Sequence, residues 1–142
     1  MKRRDLIVLA GAAFWLRPAA ATTEELNAAI QLYTGGVAPA AGLVQIEIAP
    51  LVENGNTVPI TVRVESPMTA ADHVQGIALF NQLNPQRDVV RFNLTPACGR
   101  AHVGTRIRLA TSQQLVAVAR FSDGSFRSQT VDVVVTLAAC VE

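Results

Sequence analysis

Lysine occurs once in this chain of 142 residues, at Lys2, and tryptophan once, at Trp15. There are two cysteines, Cys98 and Cys140, and two histidines, His73 and His102. No CxxC, HExxH or glycine-rich phosphate loop is present, so thioredoxin-type, zincin and nucleotide chemistries lack their ligands. Two histidines are too few for a typical zinc site unless both cysteines join them, and the ligand spacing for that is missing. These absences leave no visible enzyme active site, and they call for neither a metal nor another cofactor. Internal repeats and low-complexity segments are also missing.

What is present begins with an export signal. Lys2, Arg3 and Arg4 form a basic n-region, Leu6 to Leu16 is apolar apart from Gly11, and Ala19-Ala20-Ala21 supplies small residues for cleavage after Ala21. A membrane span needs roughly 20 apolar residues, more than this run provides. Arg3-Arg4 followed by Asp5-Leu6-Ile7 resembles a twin-arginine signal, the route for cargo folded before export. Residues 1–21 are therefore expected to be a signal peptide, and residues 22–142 one periplasmic domain. The only lysine and the only tryptophan leave with the signal. The remainder carries eight arginines against ten acids, which offers no basic surface for nucleic acid. It also has no second apolar run that would anchor it in a membrane.

Thr22-Thr23-Glu24-Glu25 reads as a helix start. Leu26, Ala29, Ile30 and Tyr33 follow at helical spacing, and Gly35-Gly36 ends the run. This predicts a short amphipathic helix over residues 23–34, its apolar face against a sheet or a partner. From Val44 the period becomes two. Val44, Ile46 and Ile48 alternate with polar residues, as do Val58, Ile60, Val62 and Val64. Further strands are predicted over 76–83, 89–94, 102–109 and 115–121, with a long last strand bearing Val131, Val133, Val135 and Leu137 on one face. Ser122-Asp123-Gly124-Ser125 predicts a tight hairpin, because Asp-Gly tolerates the positive φ angles of a primed turn. Short strands at this spacing without intervening helices imply an all-β, immunoglobulin-like β-sandwich with one short N-terminal helix.

The cysteines are the chemically informative residues. Cys98 and His102 stand four apart, but Gly99 breaks any helix that would place them on one face. Asn93-Leu94-Thr95 matches a glycosylation acceptor by chance in a chain with a bacterial-type signal. Cys140 follows the last strand directly, at the tip of an element able to protrude. Such a thiol can present a covalent cargo to other proteins. Burial in the last core strand, and a disulfide to Cys98 of the kind export favours, are the alternatives.

Several segments resemble the SoxY family. They are Pro50-Leu51-Val52-Glu53-Asn54-Gly55-Asn56-Thr57-Val58-Pro59, Glu65-Ser66-Pro67-Met68-Thr69, and Thr105-Arg106-Ile107-Arg108-Leu109-Ala110. Ser122-Asp123-Gly124-Ser125-Phe126, leading into Val133-Val134-Val135-Thr136-Leu137, belongs to the same set. The resemblance implies an immunoglobulin-like sandwich that is a carrier rather than an enzyme. It further implies that Cys140 is the covalent sulfur attachment site in thiosulfate oxidation. The implied partners are a SoxZ-like β-sandwich subunit, a periplasmic c-type cytochrome, a hydrolase and a sulfane dehydrogenase. The family's arm is Gly-Gly-Cys-Gly-Gly, whereas this chain has Ala138-Ala139-Cys140-Val141-Glu142. Losing the glycines restricts the arm, and Glu142 sets negative charge beside the sulfur. A subunit that binds partners but carries no sulfur, its Cys140 buried or bridged to Cys98, is the alternative reading.

Overall fold

The computed structural model describes residues 19–140, with side chains described from Thr22 onward. The signal-peptide reading therefore lies outside the described residues except for Ala19-Ala20-Ala21. These three form the start of helix α1 (Ala19–Thr34), which begins four residues before the predicted start. Alanine is the strongest helix former, so the helix continues back through the triplet instead of capping at Thr22. It ends where Gly35 takes φ 69°, and the Gly36 N–H returns to the Gln31 carbonyl at 3.0 Å.

Nine strands follow: β1 (Ala40–Ala41), β2 (Val44–Glu47), β3 (Leu51–Val52), β4 (Val58–Val64), β5 (Val74–Asn81), β6 (Asp88–Asn93), β7 (Ala101–Ile107), β8 (Gln113–Phe121) and β9 (Phe126–Val135). A 3-10 turn, Pro96–Cys98, joins β6 to β7. The larger sheet has the order β1-β9-β8-β5-β6, with β3 also beside β9. The smaller sheet has the order β2-β4-β7. Two short parallel pairings, β1 and β3 each with β9, were not legible in the periodicity.

The two sheets close over one aliphatic core. Val44, Ile46, Ile60 and Val62 come from the smaller sheet; Ile77, Leu79, Leu115, Ala117, Ala119 and Val133 come from the larger. The other face of the larger sheet is covered by α1, whose Leu26 and Tyr33 pack on Ala78, Phe80, Val116, Val118 and Phe126. Ala29 and Ile30 complete the predicted helical stripe. Strands β5 and β8 are thus buried on both faces, which explains why the β5 segment is an apolar run rather than an alternating one. Tyr33 seats the helix. Its ring lies edge-on to Phe80 and Phe126 at 6.0 and 6.1 Å, and the Arg120 guanidinium stands 5.1 Å from its centroid. Arg120 also donates to the Tyr33 carbonyl at 3.0 Å.

The predicted hairpin forms between β8 and β9, but its turn is not the expected primed one: Asp123 does not take a positive φ, and a turn closed by the Gly124 N–H on the Phe121 carbonyl at 3.0 Å is followed by a left-handed glycine. Gly124 has φ 84°, and the Phe121 N–H reaches the Ser125 carbonyl at 2.9 Å. Asp123 Oδ1 accepts from the Ser125 N–H and hydroxyl at 2.9 and 2.6 Å. Among the described residues, no helix is long and apolar enough to cross a membrane.

Candidate functional site

Between β9 and Cys140 the chain does not leave the body of the domain. Parallel pairing with β3 first extends past the strand end: the Val134 N–H donates to the Pro50 carbonyl and the Thr136 N–H to the Val52 carbonyl, both at 2.9 Å. The arm then enters a clasp built from two loops. The Gly55 N–H donates to the Leu137 carbonyl at 2.7 Å. The Ala139 N–H donates to the Leu109 carbonyl at 3.0 Å. Finally, the Cys140 N–H donates to Asn56 Oδ1 at 3.1 Å. Ala139 is buried, whereas Cys140 is exposed. The arm is tied down through three consecutive polar contacts while its cysteine faces solvent.

Each half of the clasp has its own support. The Asn54 side chain accepts from both the backbone N–H and the Nδ2 of Asn56 at 3.0 Å, an Asx turn that leaves Asn56 Oδ1 facing the Cys140 amide. Gly55 and Leu109 are joined directly, the Leu109 N–H donating to the Gly55 carbonyl at 2.9 Å. Space, not φ, demands glycine at 55. A Cβ there would lie 2.5 Å from the Leu109 carbonyl oxygen and 3.0 Å from both the Ala139 nitrogen and the Leu137 oxygen.

The Leu109 half hangs on Asn84. Asn84 Oδ1 accepts from the Ala110 N–H at 3.0 Å and from Gln113 Nε2 at 2.7 Å, and Asn84 Nδ2 donates to the Arg108 carbonyl at 2.8 Å. Both neighbours of the fully buried Leu109 are therefore pinned by one side chain. Arg87 donates to the Asn84 carbonyl and pairs with Glu25 of α1 at 2.5 Å, which links the helix to this network.

The two cysteines are free thiols, and the fold keeps them apart. Cys98 precedes β7 at one end, and Cys140 sits beside Leu109 past the other end. A seven-residue strand spans about 20 Å at ~3.3 Å per residue. A disulfide needs Cα atoms within about 7 Å. The alternative with Cys140 buried or bridged to Cys98 is therefore corrected: Cys140 is exposed and unbridged. The antiparallel sheet, by laying β7 along the whole sandwich, separates the pair.

The other candidate residues do not converge on Cys140. Cys98 Sγ lies 4.0 Å from Thr95 Oγ1, and His102 stands exposed opposite Arg63 on the smaller sheet. His73 Nδ1 bonds the Thr69 carbonyl at 3.0 Å in the loop before β5. Arg106 lines an open groove of about 600 Å³ with Glu47, Pro59, Thr61 and Gly104. Arg108 lines a smaller one with Asn81, Asn84 and Asp88. Among the described residues, no group of three or more His, Cys, Asp or Glu side chains is placed to hold a metal ion. Glu142, whose charge the sequence sets beside the sulfur, lies outside the described residues. The clasp role of Gly55, Asn56, Asn84 and Leu109 escapes sequence reasoning: Asn-Gly-Asn between two strands signals only a turn, and Asn84 and Leu109 lie far from Cys140 along the chain.

A family model described as sulfur oxidation protein SoxY matches residues 30–140. The match ends at Cys140 itself. Among solved structures, the sulfur carrier protein SoxY from Chlorobium limicola f thiosulfatophilum superposes with a TM-score of 0.67 at 27% identity, covering 81% of this chain and 99% of that one. Superoxide reductase (neelaredoxin) from Ignicoccus hospitalis gives a TM-score of 0.59 at 19% identity, covering 66% of this chain and 80% of that one. The superoxide reductase of Nanoarchaeum equitans gives 0.55 at 14% identity, with 68% and 100% covered. At these identities the likeness to the reductases is one of fold. A search of curated proteins found no match.

Proposed function

This chain belongs to the SoxY family of sulfur oxidation proteins, and from that premise we propose that it carries thiosulfate-derived sulfur on Cys140 in the periplasm. The observation that carries the reading is an exposed, unbridged thiol at the end of the arm, at the residue where the family match ends. Loading joins the Cys140 sulfur to the outer sulfur of thiosulfate. The thiol loses its proton, an S–S bond forms, and two electrons pass to a c-type cytochrome partner. The product is a cysteine S-thiosulfonate, within the range of oxidised states open to a cysteine sulfur.

The protein supplies a nucleophilic sulfur and a surface, and partners supply the chemistry. A hydrolase releases sulfate from the adduct, and a sulfane dehydrogenase oxidises the sulfur that stays. A SoxZ-like β-sandwich subunit covers part of the carrier's surface. Residues 1–21 direct export and are removed, leaving residues 22–142 as the working domain. The match to a solved sulfur carrier over 99% of that carrier's chain supports this reading, and so does the exposure of Cys140.

The test is intact-mass spectrometry after oxidative incubation with thiosulfate and the cytochrome partner. The expected result is one thiosulfate adduct on the wild type and on Cys98→Ser, and none on Cys140→Ser. An adduct that persists in Cys140→Ser, or an unmodified wild type, refutes the assignment.

A further inference from the structure

We propose that Asn56 is a positioning residue for the carrier cysteine: with Gly55 and Leu109 it seats the arm so that the Cys140 thiol is held at one place on the surface. This inference rests on the carrier reading of Cys140 and adds how the sulfur is presented. The seat grips the arm at three of its last four described residues, through the Leu137 carbonyl, the Ala139 N–H and the Cys140 N–H. The last of these contacts is made by a side chain and holds the reacting residue itself. Because an N–H can only donate, the atom of Asn56 facing it is the oxygen, and the Asn56 nitrogen is already engaged by Asn54 at 3.0 Å. Asn56 is thus oriented from behind and aimed at Cys140.

The arm's own composition agrees with this arrangement. Ala138-Ala139-Cys140 has no glycine, and Ala139 is buried against the body. An arm with this sequence in this seat loses little freedom when a partner approaches its thiol, since the ordering has already been done. The partner meets a sulfur whose surroundings are always the same: the Asn54–Asn56 turn, Leu109 and the exposed Leu137.

The experiment compares the wild-type protein with Asn56→Ala and Asn56→Asp by two readouts. The first is hydrogen exchange at the Cys140 amide, with the core amide of Val118 as an internal control. Asn56→Ala is expected to speed Cys140 exchange roughly five- to tenfold, as the loss of one neutral hydrogen bond implies, and to leave Val118 unchanged. Asn56→Asp keeps an acceptor for the Cys140 N–H but sets a second oxygen where Nδ2 donated to Asn54 Oδ1, and is expected to exchange at a rate between those of the wild type and Asn56→Ala. The second readout is the kinetics of thiosulfate conjugation by the cytochrome partner. There the KM for the carrier is expected to rise about fivefold in Asn56→Ala at unchanged kcat, and to rise less in Asn56→Asp.

Equal Cys140 exchange in wild type and Asn56→Ala overturns the seat. A KM that falls in Asn56→Ala also overturns it, because a fall marks a latch that must open before the partner can engage. Exchange does not depend on sulfur loading, so the two readings fail separately. A protected amide on a protein that takes no thiosulfate refutes the carrier reading and leaves the seat. A protein that loads without amide protection refutes the seat and leaves the carrier.

Discussion

Gly55→Ala tests the clasp by sterics alone. An added methyl would lie 2.5 Å from the Leu109 carbonyl oxygen, so one of the two loops must retreat by close to an ångström. Neither can do so alone. The Leu109 N–H holds the Gly55 carbonyl at 2.9 Å, and the Leu109 side chain is fully buried. Three backbone hydrogen bonds meet at this point, and each contributes about 1 kcal/mol net. Their loss would cost about 3 kcal/mol. Against it stands the usual gain of about 0.4–1 kcal/mol from removing a glycine's freedom in the unfolded chain. The clash wins, leaving a net destabilisation of about 2–3 kcal/mol. With a urea m-value near 1.5 kcal/mol/M, the unfolding midpoint should fall by about 1.3–2 M. The assay is urea denaturation followed by far-UV circular dichroism. Φ itself is not positive at Gly55, so an unchanged or raised midpoint would mean that the methyl is accommodated and that the clasp is not closed as described.

Three further outcomes are expected. Asn84→Ala should lower stability by about 2 kcal/mol in the same denaturation assay, because the Ala110 N–H and the Arg108 carbonyl lose this partner and Gln113 Nε2 keeps only its bond to the Thr111 carbonyl; a change under about 0.5 kcal/mol would show that water replaces the side chain freely. Tyr33 is the only tyrosine in the chain, so ultraviolet absorbance reads its ionisation alone. Burial raises its pKa above 10 and outweighs the opposing pull of Arg120 and Arg91. Stability from this group is therefore complete below pH 10 and is lost as the pH rises through the folded value, and a tyrosinate midpoint at or below pH 10 in the folded protein would contradict this. The Asp123 carboxyl is lowered below its ordinary 3.8, first by the Ser125 hydroxyl and then by the Ser125 N–H. Its contribution to the hairpin is present above pH 3.8 and lost as the pH falls through the folded value. Carboxyl NMR titration should show Ser125→Ala moving Asp123 back toward 3.8, and no movement would remove the hydroxyl as the cause.

Sequence alone determined the class of fold. Period-two alternation located β2, β4, β7 and β9, an apolar run located β5, Asp123-Gly124 located the hairpin, and Leu26, Ala29, Ile30 and Tyr33 marked the buried face of the helix. All of these are local patterns, in which burial of every second or every third to fourth residue leaves a trace in the chain. Cys140 was legible as the candidate site for a similar reason: its type and its place after the last strand are properties of the sequence, as is the resemblance that implies a role for it. Tertiary structure decided what the cysteine's arm does. A terminus without glycines read as a stiff, protruding tip, but it is held through contacts that no local pattern encodes, among them the bond from Cys140 to Asn56, 84 residues away. The parallel pairing of β3 with β9 brings the Asn54–Asn56 turn to the end of the last strand, and the β7–β8 loop closes on it from the other side. The same sheet order put the length of β7 between Cys98 and Cys140, so that two thiols which composition offered as a pair cannot meet.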